Sequence, residues 1–444
     1  MQISAVLKTV NTPLRRSAAA HLQKNSVMAW LLESFLKRVV RSGVLEVECA
    51  SGRQFTVGDG AGNPVAVRFV DHSAERQLMV NPALALGELF VEDRIVVTRG
   101  CIYDLLALVS TNLKWEHPPG IATAYATVRK RLRPFRHLNT RARARNNVVH
   151  HYNVNGRFYD LFLDSDRQYS CAYFEYPNQS LEDAQRAKKR HIAAKLLTEP
   201  GQRVLDIGSG WGGLALYLAE QCDSTVTGVT PSDEQLAIAR DRAVVQGLAT
   251  QVEFRLQDFR DLSEHFDRIE SVGMFEHVGL EYYDAFFGKV LDLLAYDGVM
   301  LLHSIGRMEG PGTTNPWIDK YIFPGGYAPA LSEVMPAIEK AGLIVTDVEI
   351  LRLHYAETLK AWRALFLSRR DEARKLYDER FCRMWEFYFA ACECAFRHCG
   401  LMVFQIQVAR RQDAVPLTRD YIAVREAELR AKEAWQPGLK VAAE

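Results

Sequence analysis

The chain has few cysteines, 8 in 444 residues, and no two of them form a CxxC pair. This scarcity excludes a disulfide-stapled scaffold, and it gives no signal for a zinc site or another metal site. Long apolar runs are also missing, because none approaches the ~18 residues that a membrane-spanning helix requires. The first 20 residues contain no apolar stretch of the signal-peptide type. We therefore expect an ordinary chain start and a reducing, cytoplasmic location.

An excess of charge of one sign is lacking as well. The chain carries 55 Lys plus Arg against 54 Asp plus Glu, for a formal charge of +1. This balance gives no overall argument for a nucleic-acid partner. The 48% hydrophobic and 25% charged residues are typical of a globular protein. At about 100–200 residues per domain, the length predicts two or three compact units.

Residues 1–128 predict a small α+β domain, to which we assign lipid and membrane docking. Turn-separated alternating segments indicate its strands, and apolar runs with helical spacing indicate its helices. The segments are a helix at 28–40, strand regions at 45–60 and 64–70, and helices at 83–90 and 102–113. The periodicity alone assigns no chemistry to this domain.

A basic linker is expected at 129–149, where residues 129–145 hold eight Arg or Lys side chains and no acidic one. One interpretation is a solvated linker helix. Another is a patch that meets an anionic membrane, since each basic side chain near such a surface contributes ~1 kcal/mol. Nucleic acid is the weakest interpretation, because no aromatic platform or known binding module accompanies the charge.

From residue 150 to 411 the pattern changes to alternating strands and helices. Such repeated β–α units predict a parallel sheet covered by helices on both faces, a Rossmann-like fold. The strands are expected at 202–209, 224–230, 251–258, 266–274, 298–306, 344–352 and 401–409, and the helices at 213–221, 232–246, 281–294, 356–376 and 379–398. Residues 412–444 predict a charged tail with an exposed helix at 419–433.

The most informative segment is VLDIGSGWGG at 204–213. It places Asp206, Gly208, Gly210 and Gly212 on a D-x-G-x-G-x-G spacing between an apolar strand and a helix. Glycines permit a tight turn there, and the helix start offers free N–H donors to a ligand. The segment alone also satisfies the dinucleotide pattern G-x-G-x-x-G, so a nicotinamide cofactor is the alternative.

Two details favour S-adenosylmethionine over a dinucleotide. A dinucleotide fold expects an acidic residue at the end of its second strand, about 20 residues on, but here that strand ends at Thr230. The acidic residue instead lies within the first strand, as Asp206, which is typical of S-adenosylmethionine enzymes. Gln257 and Asp258 follow the third strand and suit the edge of an adenine. The sequence therefore predicts a class I S-adenosylmethionine-dependent methyltransferase domain.

Further motifs make the chain resemble the cyclopropane-fatty-acyl-phospholipid synthases and the related mycolic acid cyclopropane synthases and methyltransferases. The resemblance runs from about His150 to Arg410, and the region before it matches the non-catalytic domain of the bacterial synthases more loosely. It rests on HHYNVNGRFYDLFLD (150–164), YSCAYF (169–174), VLDIGSGWGG (204–213), GVTPSDEQ (228–235), VGMFEHVG (272–279), LLHSIG (301–306), WIDKYIFPGG (317–326) and HYAETLKAW (354–362). The order of so many matches makes the resemblance specific.

The resemblance implies that a cis double bond in a phospholipid acyl chain takes the methyl group of S-adenosylmethionine and closes a three-membered ring after losing a proton. A bicarbonate ion is implied as the proton acceptor, held by Cys171, Glu276, His303, Ile305 and Tyr355. The implied cofactor contacts are Tyr169, Ser170, Asp206, Gly208, Ser209, Gly210, Gly212, Thr230, Gln235, Gln257 and Asp258. An anionic membrane surface, reached peripherally from the cytoplasmic side, and a homodimer are the implied partners.

The residue types suit this chemistry. An alkene is a poor nucleophile, so the site must align it with the methyl group and exclude water. Glu276 lies just after the fourth predicted strand and His303 at the end of the fifth, where ligands bind in open parallel sheets. A neutral His303 and Tyr355 would donate to a small anion, and Glu276 would accept its proton. The Tyr355 ring would also stabilise a passing cation.

Each candidate also has a structural interpretation. His303 could be a core histidine, Glu276 the start of a surface helix, and Cys171 a contact through its backbone alone. Cys392 lies where the family has a cysteine suspected of catalysis, yet its apolar helical surroundings favour a packing thiol. The aromatic stretch 385–389 suits either the core or an acyl-chain tunnel. Ser209 and Phe174 depart from the frequent Cys and Trp of the family.

We therefore predict a cyclopropane-fatty-acyl-phospholipid synthase. An alternative with the same fold is a fatty-acyl methyltransferase that yields a methyl- or methylene-branched chain. A small-molecule N-methyltransferase is less suited, since it needs no paired Glu and His beside an acyl tunnel. A lipid-binding protein without catalysis is disfavoured, because all five bicarbonate positions are present.

Overall fold

The computed structural model describes residues 27–113 and 156–434. The chain divides into two compact units, Met1–Lys114 and Trp115–Glu444. The predicted basic linker at 129–149 lies outside the described residues, as do residues 150–155 of the first family motif. Within the part of the chain that is described, no helix combines the length and apolarity needed to cross a membrane.

The first unit is a small α+β fold with a four-stranded sheet in the order β2-β1-β3-β4. Its strands are Val44–Glu48 (β1), Gln54–Gly58 (β2), Val65–Phe69 (β3) and Ile95–Arg99 (β4), and its helices are 27–39 (α1), His72–Val80 (α2), Pro82–Val91 (α3) and Ile102–Asn112 (α4). Sequence reasoning missed α2. Asp71 was the available signal, because its carboxylate accepts a hydrogen bond from the Ala74 N–H and caps the helix.

The second unit contains a seven-stranded sheet in the order β10-β11-β9-β8-β5-β6-β7. The strands are Arg203–Ile207 (β5), Thr225–Thr230 (β6), Val252–Leu256 (β7), Phe266–Val272 (β8), Leu294–Arg307 (β9), Ile344–Leu351 (β10) and Leu401–Ala409 (β11). The five strands from β5 to β9 are parallel, as predicted. The sheet as a whole is mixed, because β11 runs antiparallel to both β9 and β10.

The helices of this unit cover both faces of the sheet. They are Gly156–Tyr159 (α5), Leu181–Leu196 (α6), Gly213–Cys222 (α7), Asp233–Val245 (α8), Tyr283–Leu293 (α9), Pro316–Tyr321 (α10), Leu331–Ala341 (α11), His354–Ser368 (α12), Arg370–Leu376 (α13), Glu379–His398 (α14) and Asp420–Ala434 (α15). Apolar side chains of α6, α7, α8 and α15 form the core on one face, and those of α9 and α11 form it on the other. The single helix predicted at 356–376 is two helices, because the chain turns at Arg369.

The helix expected to be exposed at 419–433 forms as α15, but one of its faces is covered. Ile422 and Leu429 are buried, and their spacing of seven residues places them on the same side of the helix. Glu426 lies 2.7 Å from Nδ1 of His191, and Glu433 pairs with Arg190 at 2.6 Å. His191 and Arg190 both belong to α6. The expectation of an exposed helix was therefore wrong for this face.

We predict that Leu429→Ala lowers the free energy of unfolding of the second unit by about 2–5 kcal/mol, because it leaves a cavity between α15 and the helices α6 and α7 on which it packs. The matched control is Val424→Ala on the same helix, where 58% of the side chain is exposed. The control should change the free energy by less than about 0.5 kcal/mol. Urea unfolding of the full chain, followed by tryptophan fluorescence, measures both. Equal effects of the two substitutions would contradict this packing.

Candidate active site

The loop between β5 and α7 adopts backbone conformations that favour glycine. Gly208, Gly210 and Gly212 have φ values of +95°, +53° and +83°. A Cβ added at Gly212 would lie 2.6 Å from Cζ of Phe254, so even a methyl group has no room there. The loop can therefore fold over the end of β5 only with this glycine spacing. The start of α7 at Gly213 then faces the same edge of the sheet.

A cavity of about 460 Å³ lies at the carboxyl edge of the parallel strands, beside this loop. Ten of the eleven predicted cofactor residues line it: Tyr169, Ser170, Asp206, Gly208, Ser209, Gly210, Thr230, Gln235, Gln257 and Asp258. Gly212 does not line the cavity, and it instead lies close to Phe254. Their roles in binding stay predictions, but the structure brings these residues together around one space.

Hydrogen bonds fix the polar groups at the β6 and β7 end of the cavity. The Thr230 hydroxyl donates to Oε1 of Gln235 at 3.0 Å, and the Ser232 hydroxyl accepts from the Gln235 N–H at 3.4 Å as the N-cap of α8. The Asp258 carboxylate accepts from the guanidinium of Arg260 at 2.8 Å. Sequence reasoning missed Arg260, which also lines the cavity. These contacts hold the Gln235 and Asp258 side chains at defined positions along the edge.

At the opposite end, a buried lysine supports the segment that carries Tyr169 and Ser170. Nζ of Lys188 donates to Oε1 of Gln168 at 2.5 Å and to Oγ of Ser170 at 2.8 Å. Lys188 is fully buried on α6, and this burial lowers its pKa to about 8. Sequence reasoning missed Lys188, because a lysine in a charged helix is normally solvated.

Two carboxylates also face the cavity from neighbouring strands. Asp206 of β5 lies directly opposite Glu270 of β8 in the sheet register, and both side chains are buried. Burial raises the pKa of Asp206 to about 7. Burial and the nearby Asp206 carboxylate raise the pKa of Glu270 well above its usual value. Glu270 was not among the predicted site residues, although a charged residue within an apolar strand was a visible signal.

Glu276 is the middle residue of a short 3₁₀ helix, Phe275–His277, which follows β8 after two residues. Its Oε1 accepts a hydrogen bond from the Ile305 N–H at 2.7 Å, so two of the predicted anion ligands are in direct contact. No described residue forms a hydrogen bond with its Oε2. Burial raises the pKa of Glu276 to about 7. The surface-helix interpretation of Glu276 is wrong, because its side chain is buried.

His303 lies two residues before Ile305 on β9, and its backbone carbonyl accepts from the Gly273 N–H at 3.0 Å. Nδ1 of His303 lies 3.1 Å from Nε2 of Gln405 on β11. With the Gln405 amide oriented as a donor, Nε2 of His303 carries the ring proton. Burial lowers the pKa of His303 to about 3, and Lys188 adds to this shift, so the ring is neutral. Sequence reasoning missed Gln405, which the antiparallel strand β11 supplies.

Tyr355 and Cys392 lie in an aromatic cluster between α12 and α14. The Tyr355 ring packs 4.8 Å from Phe396, and burial together with Tyr169, Cys392 and Tyr355 raises the pKa of Tyr388. The Tyr388 hydroxyl is 3.1 Å from that of Tyr169, which links this cluster to the cavity. Burial raises the pKa of the Cys392 thiol to about 12, which favours its interpretation as a packing thiol.

Cys171 follows Ser170 into the interior and does not line the cavity. Its Sγ donates to the Ala172 carbonyl at 3.3 Å, and burial raises the pKa of this thiol, so it stays protonated. Glu276, His303 and Tyr355 also lie outside the lining of the 460 Å³ cavity, whereas His277, which was not predicted, belongs to it. The structure therefore joins Glu276 with Ile305 and places His303 two residues away on the same strand, whereas the roles of Cys171 and Tyr355 stay predictions.

The aromatic stretch 385–389 packs in the core, as one of its two interpretations predicts. Trp385, Phe387, Tyr388 and Phe389 are all buried. Trp385 lies 4.7 Å from Phe158, and Phe387 lies 4.6 Å from Trp317, measured between ring centroids. The alternative role in an acyl-chain tunnel stays a prediction.

The strand order, the glycine loop and the cavity at the carboxyl edge define the second unit as a class I S-adenosylmethionine-dependent methyltransferase domain. The chain belongs to the family described as mycolic acid cyclopropane synthetase, whose model matches residues 139–406. The predicted family and the predicted fold class are both confirmed.

Individual relatives agree with this assignment. The chain is 43% identical over 260 residues to the cyclopropane-fatty-acyl-phospholipid synthase of Escherichia coli K12, covering 59% of this chain and 66% of that protein. It is 42% identical over 267 residues to a Pseudomonas putida protein named "Probable fatty acid methyltransferase", covering 58% and 68%. The matched segments therefore span about two thirds of each relative. The solved structure of a mycolic acid cyclopropane synthase complexed with SAH and CTAB superposes with a TM-score of 0.57 at 34% identity, covering 60% of this chain and 97% of that one.

We predict that Gly212→Ala weakens S-adenosylhomocysteine binding at least tenfold, because the new methyl group would collide with Phe254 and displace the loop. The matched control is Gly201→Ala, since Gly201 has a similar φ of +80° but no atom within 4 Å of its added Cβ. Both substitutions carry the backbone strain of a left-handed alanine, about 1–2 kcal/mol, so the difference between them isolates the collision. Isothermal titration calorimetry measures the affinities. Similar affinities in both variants would contradict this role of Gly212.

Proposed function

We propose that this protein is a cyclopropane-fatty-acyl-phospholipid synthase, which transfers a methylene group from S-adenosylmethionine to the cis double bond of an unsaturated phospholipid acyl chain. The observation that carries the proposal is the Glu276 carboxylate. It is buried, anchored through one oxygen to the Ile305 N–H and without a described donor at the other, and Ile305 lies two residues from a neutral His303 on β9. Family membership supports the same assignment.

The cavity fits the methyl donor. Its glycine loop permits close approach of a ligand to the backbone, and Thr230, Gln235, Gln257 and Asp258 present polar groups along one end. When bound, S-adenosylmethionine supplies an activated methyl group. The residues of the chain hold and orient the donor, and the surrounding buried side chains keep water away from the reacting atoms.

The groups beside Ile305 fit a small anion that itself carries a proton. Oε2 of Glu276 has no hydrogen-bond donor among the described residues, so it suits a ligand that donates. Nε2 of His303 suits a ligand that accepts. Bicarbonate satisfies both, since it has one hydroxyl and further acceptor oxygens. We assign Glu276, His303, Ile305, Cys171 and Tyr355 to this subsite, where the anion would serve as the proton acceptor.

Membrane docking is assigned to the first unit and to the basic segment 129–149. On α1, Val27, Trp30 and Leu31 share one face and are all exposed, with 59% of the Trp30 side chain accessible. Lys37, Arg38 and Arg41 follow, so apolar and cationic groups adjoin, as expected at an anionic lipid surface. A peripheral position on the cytoplasmic side of the membrane and a homodimeric assembly complete the proposal.

A fatty-acyl methyltransferase that leaves a methyl or methylene branch is the second candidate, and the name of the Pseudomonas putida relative favours it. It uses the same donor and the same acyl chain but loses a different proton. Incubation with labelled S-adenosylmethionine and unsaturated phospholipid vesicles, followed by NMR of the modified chains, separates a ring from a branch. Absence of S-adenosylhomocysteine with every unsaturated phospholipid would instead indicate a lipid-binding protein without catalysis.

We predict that Glu276→Gln lowers the rate of ring formation by at least 100-fold, because an amide accepts a proton far less readily than a carboxylate and general acid–base assistance contributes about 10²–10⁴-fold. His303→Ala should have a similar effect. S-adenosylhomocysteine affinity should stay within threefold of the unmodified protein for both. Glu281→Gln, on an exposed residue nearby, is the control and should keep full activity. Unchanged ring formation in Glu276→Gln would refute the assigned role.

The rate should also fall as the pH is lowered through about 7, because burial raises the pKa of Glu276 to about 7 and only its ionised form accepts a proton. The rate should therefore be nearly constant above pH 8 and drop about tenfold for each unit well below 7. His303 does not titrate in this range, since its pKa is lowered to about 3. Single-turnover rates from pH 5.5 to 9 at constant bicarbonate concentration test this. A flat profile would exclude Glu276 as the titrating group.

A further inference from the structure

Glu270 is a buried carboxylate for which neither the sequence pattern nor the proposed reaction supplies a role. It lies in the middle of β8, has no exposed surface and lines the 460 Å³ cavity. No described residue donates a hydrogen bond to either of its side-chain oxygens. An ionised carboxylate in such a place is costly unless a cation or several donors compensate it. The charged and polar groups around Glu270 therefore decide whether its carboxylate is compensated.

The nearest charged groups leave this carboxylate without a cation of its own. Asp206, its register partner on β5, is a second acid, and two facing carboxylates can interact favourably only through a shared proton. Lys188 is the buried cation whose positive charge acts to lower the pKa of both carboxyl groups. Its ammonium, however, already donates to Gln168 and Ser170. The β8 end of the cavity therefore holds two buried acidic groups close enough to share a proton, and neither has a cation of its own among the described residues.

The position of Asp206 and Glu270 in the sheet indicates which end of the donor molecule would lie beside them. Gln257 and Asp258 follow β7, which is three strands away from β8, or roughly 14 Å at the usual strand spacing. If the adenine lies at the β7 end, the amino-acid part of the donor points toward β8. That part contains an α-ammonium group with N–H donors, whereas the sulfonium has none. Within the amino-acid and sulfonium part of the donor, only the ammonium can supply the hydrogen bonds that the Glu270 oxygens lack.

We propose that Glu270, together with Asp206, binds the α-ammonium group of S-adenosylmethionine and so fixes the amino-acid end of the donor. The inference rests on the proposed function only in taking S-adenosylmethionine as the donor. Glu270 is a binding residue in this assignment, and it takes no part in proton removal from the acyl chain.

The test compares two ligands that differ in the amino-acid part. S-adenosylhomocysteine carries the α-ammonium, and 5′-methylthioadenosine keeps the nucleoside and sulfur but lacks the amino acid. In Glu270→Gln, the affinity for S-adenosylhomocysteine should fall about 10–100-fold, whereas that for methylthioadenosine should stay within threefold. The control, Glu253→Gln on the exposed side of β7, should alter neither. Isothermal titration calorimetry on the full chain without lipid measures all of these affinities.

A purely structural role for Glu270 makes a different prediction. In that case Glu270→Gln would weaken the binding of both ligands equally and lower the melting temperature of the ligand-free protein. An equal loss of affinity for the two ligands would overturn the inference, and so would no loss of affinity for either. If Glu270→Gln fails to fold, the test uses the unmodified protein and measures its affinity for the deaminated analogue of S-adenosylhomocysteine. That analogue should bind at least tenfold more weakly than S-adenosylhomocysteine, and equal affinities would overturn the inference. Failure of the unmodified protein to bind S-adenosylhomocysteine would overturn the proposed donor as well.

Discussion

The candidate site depends on the parallel register of β5 with β6 on one side and β8 on the other. Chain order reverses at β5, so the loops after these strands diverge and leave a crevice at the carboxyl edge. The glycine loop, Thr230, and the segment from Gly273 to His277 all enter this crevice because their strands end at the same level. A shift of one residue in β8 would turn Glu270 away from Asp206 and displace Glu276 from Ile305.

Burial without neutralisation is the common electrostatic feature of the site. Asp206, Glu270 and Glu276 are all removed from water, and the pKa of each is raised mainly for that reason. Natural proteins place carboxylates in such surroundings where a ligand compensates them or where a proton must be held near neutral pH. The carboxylates proposed for donor binding and the one proposed for proton acceptance lie at different places. The Asp206 and Glu270 pair faces the donor cavity, whereas Glu276 faces the end of β9.

The sequence predicted those parts of the fold that local patterns encode. Apolar strands followed by helices identified β5 to β11 within a few residues, and the glycine spacing located the cofactor loop. The direction of each strand and its neighbours in the sheet were harder to predict, because the antiparallel insertion of β11 between β9 and β10 depends on packing across the whole sheet. For the same reason Gln405, which reaches His303 from β11, could not be found from its neighbours in sequence. Lys188 was hidden because its helix is charged on average, and only tertiary packing buries it.

The interaction of α15 with α6 has a consequence for the order in which the protein can mature during synthesis. Arg190 and His191 of α6 are enclosed by Glu433 and Glu426, which the ribosome adds after every other described strand and helix. Until then, Arg190 has only Glu175 and His191 only Glu349 as acidic partners among the described residues, and the α15 side of α6 lacks its cover. The same helix carries Lys188 beneath the donor cavity. Nascent chains should therefore acquire their nucleoside-containing ligand only after α15 has been synthesised, when the first unit is already complete.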